Sequence, residues 1–362
     1  MNKAKKQGVA RAIAFLLLAT ALILTVGFAA NGKNASENED AKNPDASGDG
    51  DLIKDPVADD SEGGGKEELP SFFDPLTGEV ITREELGVGY LAFTFDSSSP
   101  IYGLSDAAIL IEMPIENGGS RFLQYRRSDK LPGKIGTLCP TRDFITDISE
   151  YFGGALIYYG NDGMTHDEER TDGGFDLSEN FGYSYTEYTH YNYTNGDLIL
   201  AGLANLSIAK DGGVRIPFSF VGYKEDETIP ADKAYKLSLP YSEQNLTELV
   251  YSKELKEYLI YKAGEPVKDL ITGKTQSYKN GFILFSDSVT YETADDSELI
   301  LDTAGGEGLY FTNGAYERIL WSVDDSGKLV FTDDNGEILT VNRGKSYISF
   351  FKSSAKASVK IN

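Results

Sequence analysis

The sequence predicts an α+β body behind a membrane-directed leader. An N-terminal α/β part with a mixed sheet is expected over residues 70–225, and a C-terminal β-rich part of antiparallel hairpins over 226–352. Three observations carry this. Strand-like and helix-like stretches alternate between Tyr90 and Tyr159. Two Asn-Gly pairs sit between apolar runs near the C-terminal end, where a tight hairpin needs residues that accept positive φ. The composition, 40% apolar and 12% aromatic, is that of a chain with a core and not of a disordered one.

The elements follow in chain order. Lys3, Lys5, Lys6 and Arg11 precede an uncharged run from Ala12 to Ala30. About 20 apolar residues span a bilayer as a helix, and the positive flank keeps the N-terminus cytoplasmic and the bulk outside. The same run also reads as a long signal peptide, with small residues that allow cleavage after Ala29. Residues 31–69 hold twelve Asp/Glu, four Lys and no aromatic residue. They are expected to form a disordered acidic tether, because they bury too little apolar surface to offset ordering entropy.

In the first half, Tyr90–Phe95 alternates as a strand, Ser105–Asp106 starts a turn before Ile109–Ile111, and Phe122–Tyr125 is a second strand. Phe144, Ile145, Ile148 and Tyr151 share one face of a helix between Arg142 and Phe152, followed by a strand over Ala155–Tyr159. A second helix over about Asp197–Leu206, capped by Asn195 or Asp197, competes with a hairpin from Leu206–Ile208 into Val214–Ile216. In the second half, Leu249–Tyr251 and Tyr258–Tyr261 form a hairpin. Phe282–Phe285, Ser288–Tyr291 and Leu299–Leu301 are strands. Leu309–Thr312 and Arg318–Trp321 frame Asn313-Gly314, and Lys328–Phe331 and Glu337–Val341 frame Asn335-Gly336. Tyr347–Phe351 is expected to close the sheet, with residues 353–362 frayed.

Composition excludes several functions. The formal net charge is -23, so a nucleic-acid partner is not expected, since phosphates need clustered Lys/Arg. One Cys forbids an internal disulfide, and two His with one Cys cannot build a Cys/His zinc site. No metal and no cofactor are expected. The chain has no Gly-x-Ser-x-Gly nucleophile turn and no phosphate-binding glycine loop. Cys139 reads as a small buried thiol, His166 as a solvated loop residue, and the acidic run 333–337 as a hairpin turn.

Five polar residues are candidate ligand-binding groups: Glu112, Arg121, Arg142, Asp147 and His190. Arginine forks suit carboxylate or phosphate oxygens. Paired carboxylates serve as acid and base toward glycosidic bonds only at the right separation in space. His190 lies in a tyrosine-rich stretch, Tyr183–Tyr193, suited to sugar stacking or protein contact. The competing readings are an ion-pair network for the charged residues and core packing for the tyrosines.

A family resemblance rests on motifs in order: Asp74-Pro-Leu-Thr-Gly78; Gly103-Leu-Ser-Asp106 leading to Glu112; Gly118-Gly-Ser-Arg121-Phe122; Lys134-Ile-Gly136 leading to Arg142. These continue with Gly264-Glu-Pro266, Asp269, Thr272-Gly273, Gly308–Gly314, Trp321, Asp334-Asn-Gly336 and Asn342-Arg-Gly-Lys345. The chain resembles the YerB-like envelope lipoproteins of Gram-positive bacteria, a domain-of-unknown-function family, over residues 70–352. The resemblance implies an extracytoplasmic, membrane-tethered protein and no particular chemistry. The chain departs from the family pattern at Cys139, where arginine is usual, at Tyr158, where histidine is usual, and at Tyr191, where asparagine is usual. It also lacks the lipid-bearing cysteine. The expected function is therefore a non-enzymatic envelope protein, anchored by residues 12–30, that binds peptidoglycan or an envelope protein. The rival is a hydrolase acting on a cell-wall polymer through a carboxylate/Arg/His cleft.

Overall fold

Strand β1 (Tyr90–Asp96) is buried at every position but the last, because both of its faces are covered. It pairs antiparallel with β3 (Ser120–Arg127) and parallel with β5 (Ala155–Tyr158). The computed structural model describes residues 70, 72–160, 174–188, 191–208, 214–292 and 297–362. The apolar run, the acidic tether, His166 and His190 lie outside the described residues. Among the described residues, no helix is long and apolar enough to cross a membrane.

The sheet extends through β2 (Ile109–Pro114), which pairs antiparallel with β3. On the other flank come β4 (Ile135–Leu138) and the tyrosine-rich strands Tyr185–Glu187 and Tyr191–Thr194. Helix α1 (Asp143–Phe152) forms as its spacing predicts and buries Phe144, Ile145, Ile148 and Phe152. Helix α2 (Gly196–Asn205) wins over the alternative hairpin, since Asn195 caps it by accepting from the Leu198 amide at 2.9 Å. Gly202 is tolerated inside it for a packing reason: a Cβ there would lie 2.4 Å from the Phe175 ring.

The largest departure from expectation concerns the strand Ser346–Lys352. It does not close an antiparallel sheet. It lies in the middle, parallel both to β2 (Ile109↔Ser346 through Glu112↔Ser349) and to the strand Asn280–Ser286. Its continuous burial is the mark of a central strand covered on both faces. The sheet then runs on, antiparallel, through Gly305–Thr312 and Ala315–Val323. The body is strand-rich, with helix confined to α1 and α2 and short 3-10 turns among the described residues, so it is less helical than the α+β expectation.

Asn313 and Gly314 both take positive φ, and their hairpin forms as expected. The Asn335-Gly336 hairpin forms only a single bridge, Thr332↔Ile338. The Asp333 carboxylate caps that turn, and Thr340–Val341 pairs instead with Ser219–Phe220. Residues 353–362 do not fray. A 3-10 turn leads into Lys360–Ile361, which pairs with the strand Lys236–Pro240.

A second, smaller antiparallel sheet contains Lys236–Pro240, Leu246–Ser252 and Glu257–Lys262. One core packs it, with α2, against one face of the large sheet, through Leu110, Phe122, Tyr347, Leu239, Leu249 and Ile260. The other core packs α1 against the opposite face, through Ile111, Leu123, Ile145, Ile348 and Phe350. Both cores draw on both halves of the sequence, and residues 67–362 form one compact unit.

This arrangement predicts that fragments 70–225 and 226–362 do not fold separately. Each would expose one flank of the parallel pairing between β2 and the strand Ser346–Lys352, together with half of each core. Circular dichroism and gel filtration should show disordered or aggregated fragments alone and a compact species when they are co-expressed. A cooperative melt in either isolated fragment would count against the shared core.

Candidate functional site

Glu112 lies in an apolar strand, and the β2 register turns it toward the small sheet, on the same face as Leu110 and Phe122. It is fully buried. An isolated carboxylate there would be very costly, and four donors compensate it. Its Oε1 accepts from Lys262 Nζ at 2.6 Å, Ser120 Oγ at 2.6 Å and Thr247 Oγ1 at 3.0 Å. Its Oε2 accepts from Tyr347 OH at 2.6 Å. Lys262 also donates to Asn245 Oδ1 at 2.7 Å and Ser120 Oγ at 2.8 Å, which occupies its three protons.

Above this floor opens a cavity of about 440 Å³. Its walls come from four turns: the Asp96–Ser98 end of β1, the Ile115–Ser120 link between β2 and β3, Ser242–Asn245, and Lys262–Ala263. Asp96 accepts from the Ser98 amide and from the Ser98 and Ser99 hydroxyls at 2.6–2.9 Å. Burial alone would raise its pKa, but these donors and the Arg121 charge together hold it below the usual carboxylate range. Asn117 and Gly118 both take positive φ. Gly118 has no room for a side chain, since a Cβ would sit 2.6 Å from Ser242 Cβ. The lining is therefore mostly hydroxyl, amide and backbone.

Arg121, Arg142 and Asp147 lie on the other face of the sheet, with α1. Arg121 faces Met113, one position along from Glu112, so it points away from that carboxylate. It donates to the Pro140 carbonyl at 2.6 Å. Arg142 stands at the N-cap position of α1 and grips Glu116, with Nη2 to Oε2 at 3.0 Å and Nε to Oε1 at 3.2 Å. Glu116 also accepts from the Leu299 amide at 3.3 Å, which ties the antiparallel strands Ser288–Glu292 and Ser297–Leu301 to this corner. Burial would raise the Glu116 pKa, but the Arg142 bonds outweigh it and the carboxyl is held low. Asp147 sits half-buried on α1. Cys139 is buried as expected, and burial pushes its thiol up to about 11.

The structure thus joins Glu112 to residues the sequence reading did not single out: Ser97, Ser120, Asn245, Thr247, Lys262 and Tyr347. A signal existed for Lys262. The alternation Tyr258, Ile260, Lys262 puts that lysine on the core-facing row of its strand. A charge in such a row needs a buried opposite charge, and Glu112 within its apolar run is the match.

The Glu116–Arg142 pair makes a pH prediction. A lowered folded pKa gives stability that is present above the unfolded carboxylate value, about 4.3, and is lost as pH falls through the folded value. The thermal midpoint should drop on acidification below about pH 4, and Glu116→Gln should flatten that drop. Arg142→Ala should cost about 3 kcal/mol at neutral pH, because it leaves a buried carboxylate unpaired. Urea titrations across pH 3–7 measure both. An Arg142→Ala variant as stable as the parent would show that the pair is not a tie.

Comparison with known proteins adds the family. Residues 77–209 match the N-terminal domain, and residues 237–348 the C-terminal domain, of a protein of unknown function termed DUF3048. No curated protein matches the chain. The crystal structure of YerB protein from Bacillus subtilis is similar at 21% identity and a TM-score of 0.68, over 80% of this chain and 99% of that one, and so shares the fold. With both domain models matched in order across most of the folded body, the chain belongs to the DUF3048 family.

Proposed function

We propose that this chain is an extracytoplasmic, membrane-tethered binding protein, and that its cavity receives an uncharged, hydroxyl- and amide-rich part of a cell-envelope component. The glycan of peptidoglycan is the favoured candidate. The observation that carries this is the state of the cationic floor. Lys262 is paired with Glu112 and its protons are committed within the protein, so, apart from the Asp96 carboxylate, the groups left facing the cavity are mostly neutral hydroxyls, side-chain amides and backbone. Such a surface discriminates by hydrogen bonding more than by charge. The cavity volume, about 440 Å³, falls in the range of small-molecule sites. The export reading rests on the N-terminal sequence: a positive flank, an apolar run and an acidic stretch before the body.

Co-sedimentation with purified peptidoglycan, and titration with soluble glycan fragments, test the proposal. Gln244→Trp, at an exposed position of the wall, should fill the cavity and weaken binding at least about tenfold, equivalent to about 1.4 kcal/mol, with the melting temperature close to that of the parent. Binding unaffected by the tryptophan would move the site elsewhere. No binding by the parent protein would remove the glycan reading.

A further inference from the structure

At the floor of the cavity a lysine, an asparagine and a glutamate are in contact. Asn245 immediately precedes the strand Leu246–Ser252, and Lys262 ends its antiparallel partner Glu257–Lys262. Lys262 Nζ donates to Asn245 Oδ1 at 2.7 Å and to Glu112 Oε1 at 2.6 Å. The other end of the Asn245 amide fixes its orientation. Nδ2 faces the Gly118 carbonyl at 3.2 Å, which can only accept, and Ser120 Oγ at 3.2 Å. A carbonyl bond is about 1.23 Å long, so Nζ lies no farther than about 3.9 Å from Asn245 Cγ, close to the range from which a nucleophile attacks. The Phe122 and Tyr241 rings lie 5.5 and 5.8 Å from Nζ, and the lysine side chain is 14% exposed. An amine is thus held against a carboxamide, with a buried carboxylate in reach of its protons and aromatic rings limiting water.

From this contact we propose that Lys262 and Asn245 join in an intramolecular isopeptide bond, which the folded protein forms by itself with Glu112 as proton acceptor. In the first step a proton passes from Lys262 Nζ to Glu112 Oε1 along their hydrogen bond. The freed Nζ lone pair bonds to Asn245 Cγ, and the carbonyl π electrons move onto Oδ1. Ser120 Oγ already accepts from Nζ at 2.8 Å and touches Nδ2. It takes a second Nζ proton through the lone pair that faces Nζ. Its own proton, released from the now protonated Glu112, turns to Nδ2. Collapse re-forms the carbonyl, breaks the Cγ–Nδ2 bond and releases ammonia into the cavity that Asn245 lines. Ammonium, carboxamide and carboxylate thus give a secondary amide, a neutral Glu112 acid and ammonia, and no unpaired charge stays in the core. The bond staples the Ser242–Asn245 turn to the end of the neighbouring strand, in a chain whose single cysteine allows no internal disulfide. It goes beyond the binding reading and does not depend on what the cavity holds.

Mass mapping of tryptic peptides from the full chain tests this, because trypsin does not cut after a lysine whose Nζ is acylated. The expected product is a branched peptide joining residues 237–253 to residues 257–268, lighter than the two together by one ammonia. Lys262→Arg and Asn245→Ala should lack it. Glu112→Gln, which removes the proton acceptor, should instead release residues 237–253 and 257–262 as separate peptides. Mapping the parent protein reads the bond even if a variant fails to fold. A parent digest with those two peptides at their sequence masses and no branched product would overturn the proposal. A branched peptide in Glu112→Gln would overturn the role given to the carboxylate. Glycan binding, present or absent, does not enter this readout, so the two readings stand or fall separately.

Discussion

The Glu112 carboxylate is the constraint around which the body is arranged. A fully buried charge is tolerated only when it is paired and its remaining lone pairs are filled. Its partners come from distant parts of the chain: Ser120 from the neighbouring strand, Thr247 and Lys262 from the small sheet, and Tyr347 from the central strand. The small sheet can cover the large one in only one register without leaving this charge unpaired. Apolar packing of Leu239, Leu249 and Ile260 supplies attraction without direction, and the carboxylate supplies the direction.

The same logic accounts for the motifs that carry the family resemblance. Many of them lie on contacts between the two halves of the sequence. The Gly344 amide donates to the Thr77 carbonyl at 2.7 Å, and Arg343 reaches the Gly78 carbonyl. Asp269 accepts from the Gly103 and Ser105 amides at 3.0 and 2.8 Å. Gly118 packs on Ser242, and Asn245 donates to the Gly118 carbonyl. Short polar motifs scattered through a sequence often mark a catalytic cleft. Here a large part of them holds two halves together, and the cavity opens where those halves meet at Ser120, Asn245 and Lys262.

Charge is divided in a way that matters for recognition. The body is acidic in sequence, yet two of its buried carboxylates are matched close by: Glu112 with Lys262, and Glu116 with Arg142. Glu112 and Arg121 face opposite sides of the large sheet, so they do not act on one ligand atom. The cavity beside Glu112 is therefore read through its neutral donors and acceptors together with the Asp96 carboxylate, and the α1 side through its ion-pair ties.

By itself the sequence determined the local elements, because these depend on short-range physics. Helix α1 follows from its apolar spacing and the Asn313-Gly314 hairpin from two residues that accept positive φ, whereas α2 stayed open against a hairpin until the fold showed the Asn195 cap. The sequence also marked Cys139 as a small buried thiol. Tertiary structure alone decided the rest. Nothing local distinguishes a closing edge strand from a central one, so the parallel seat of Ser346–Lys352 between β2 and Asn280–Ser286 emerges only when both cores are filled. The meeting of Ser97, Ser120, Glu112 and Lys262 spans more than 160 residues of chain. It exists because a buried charge must find its counter-charge in space, and sequence distance carries no record of that search.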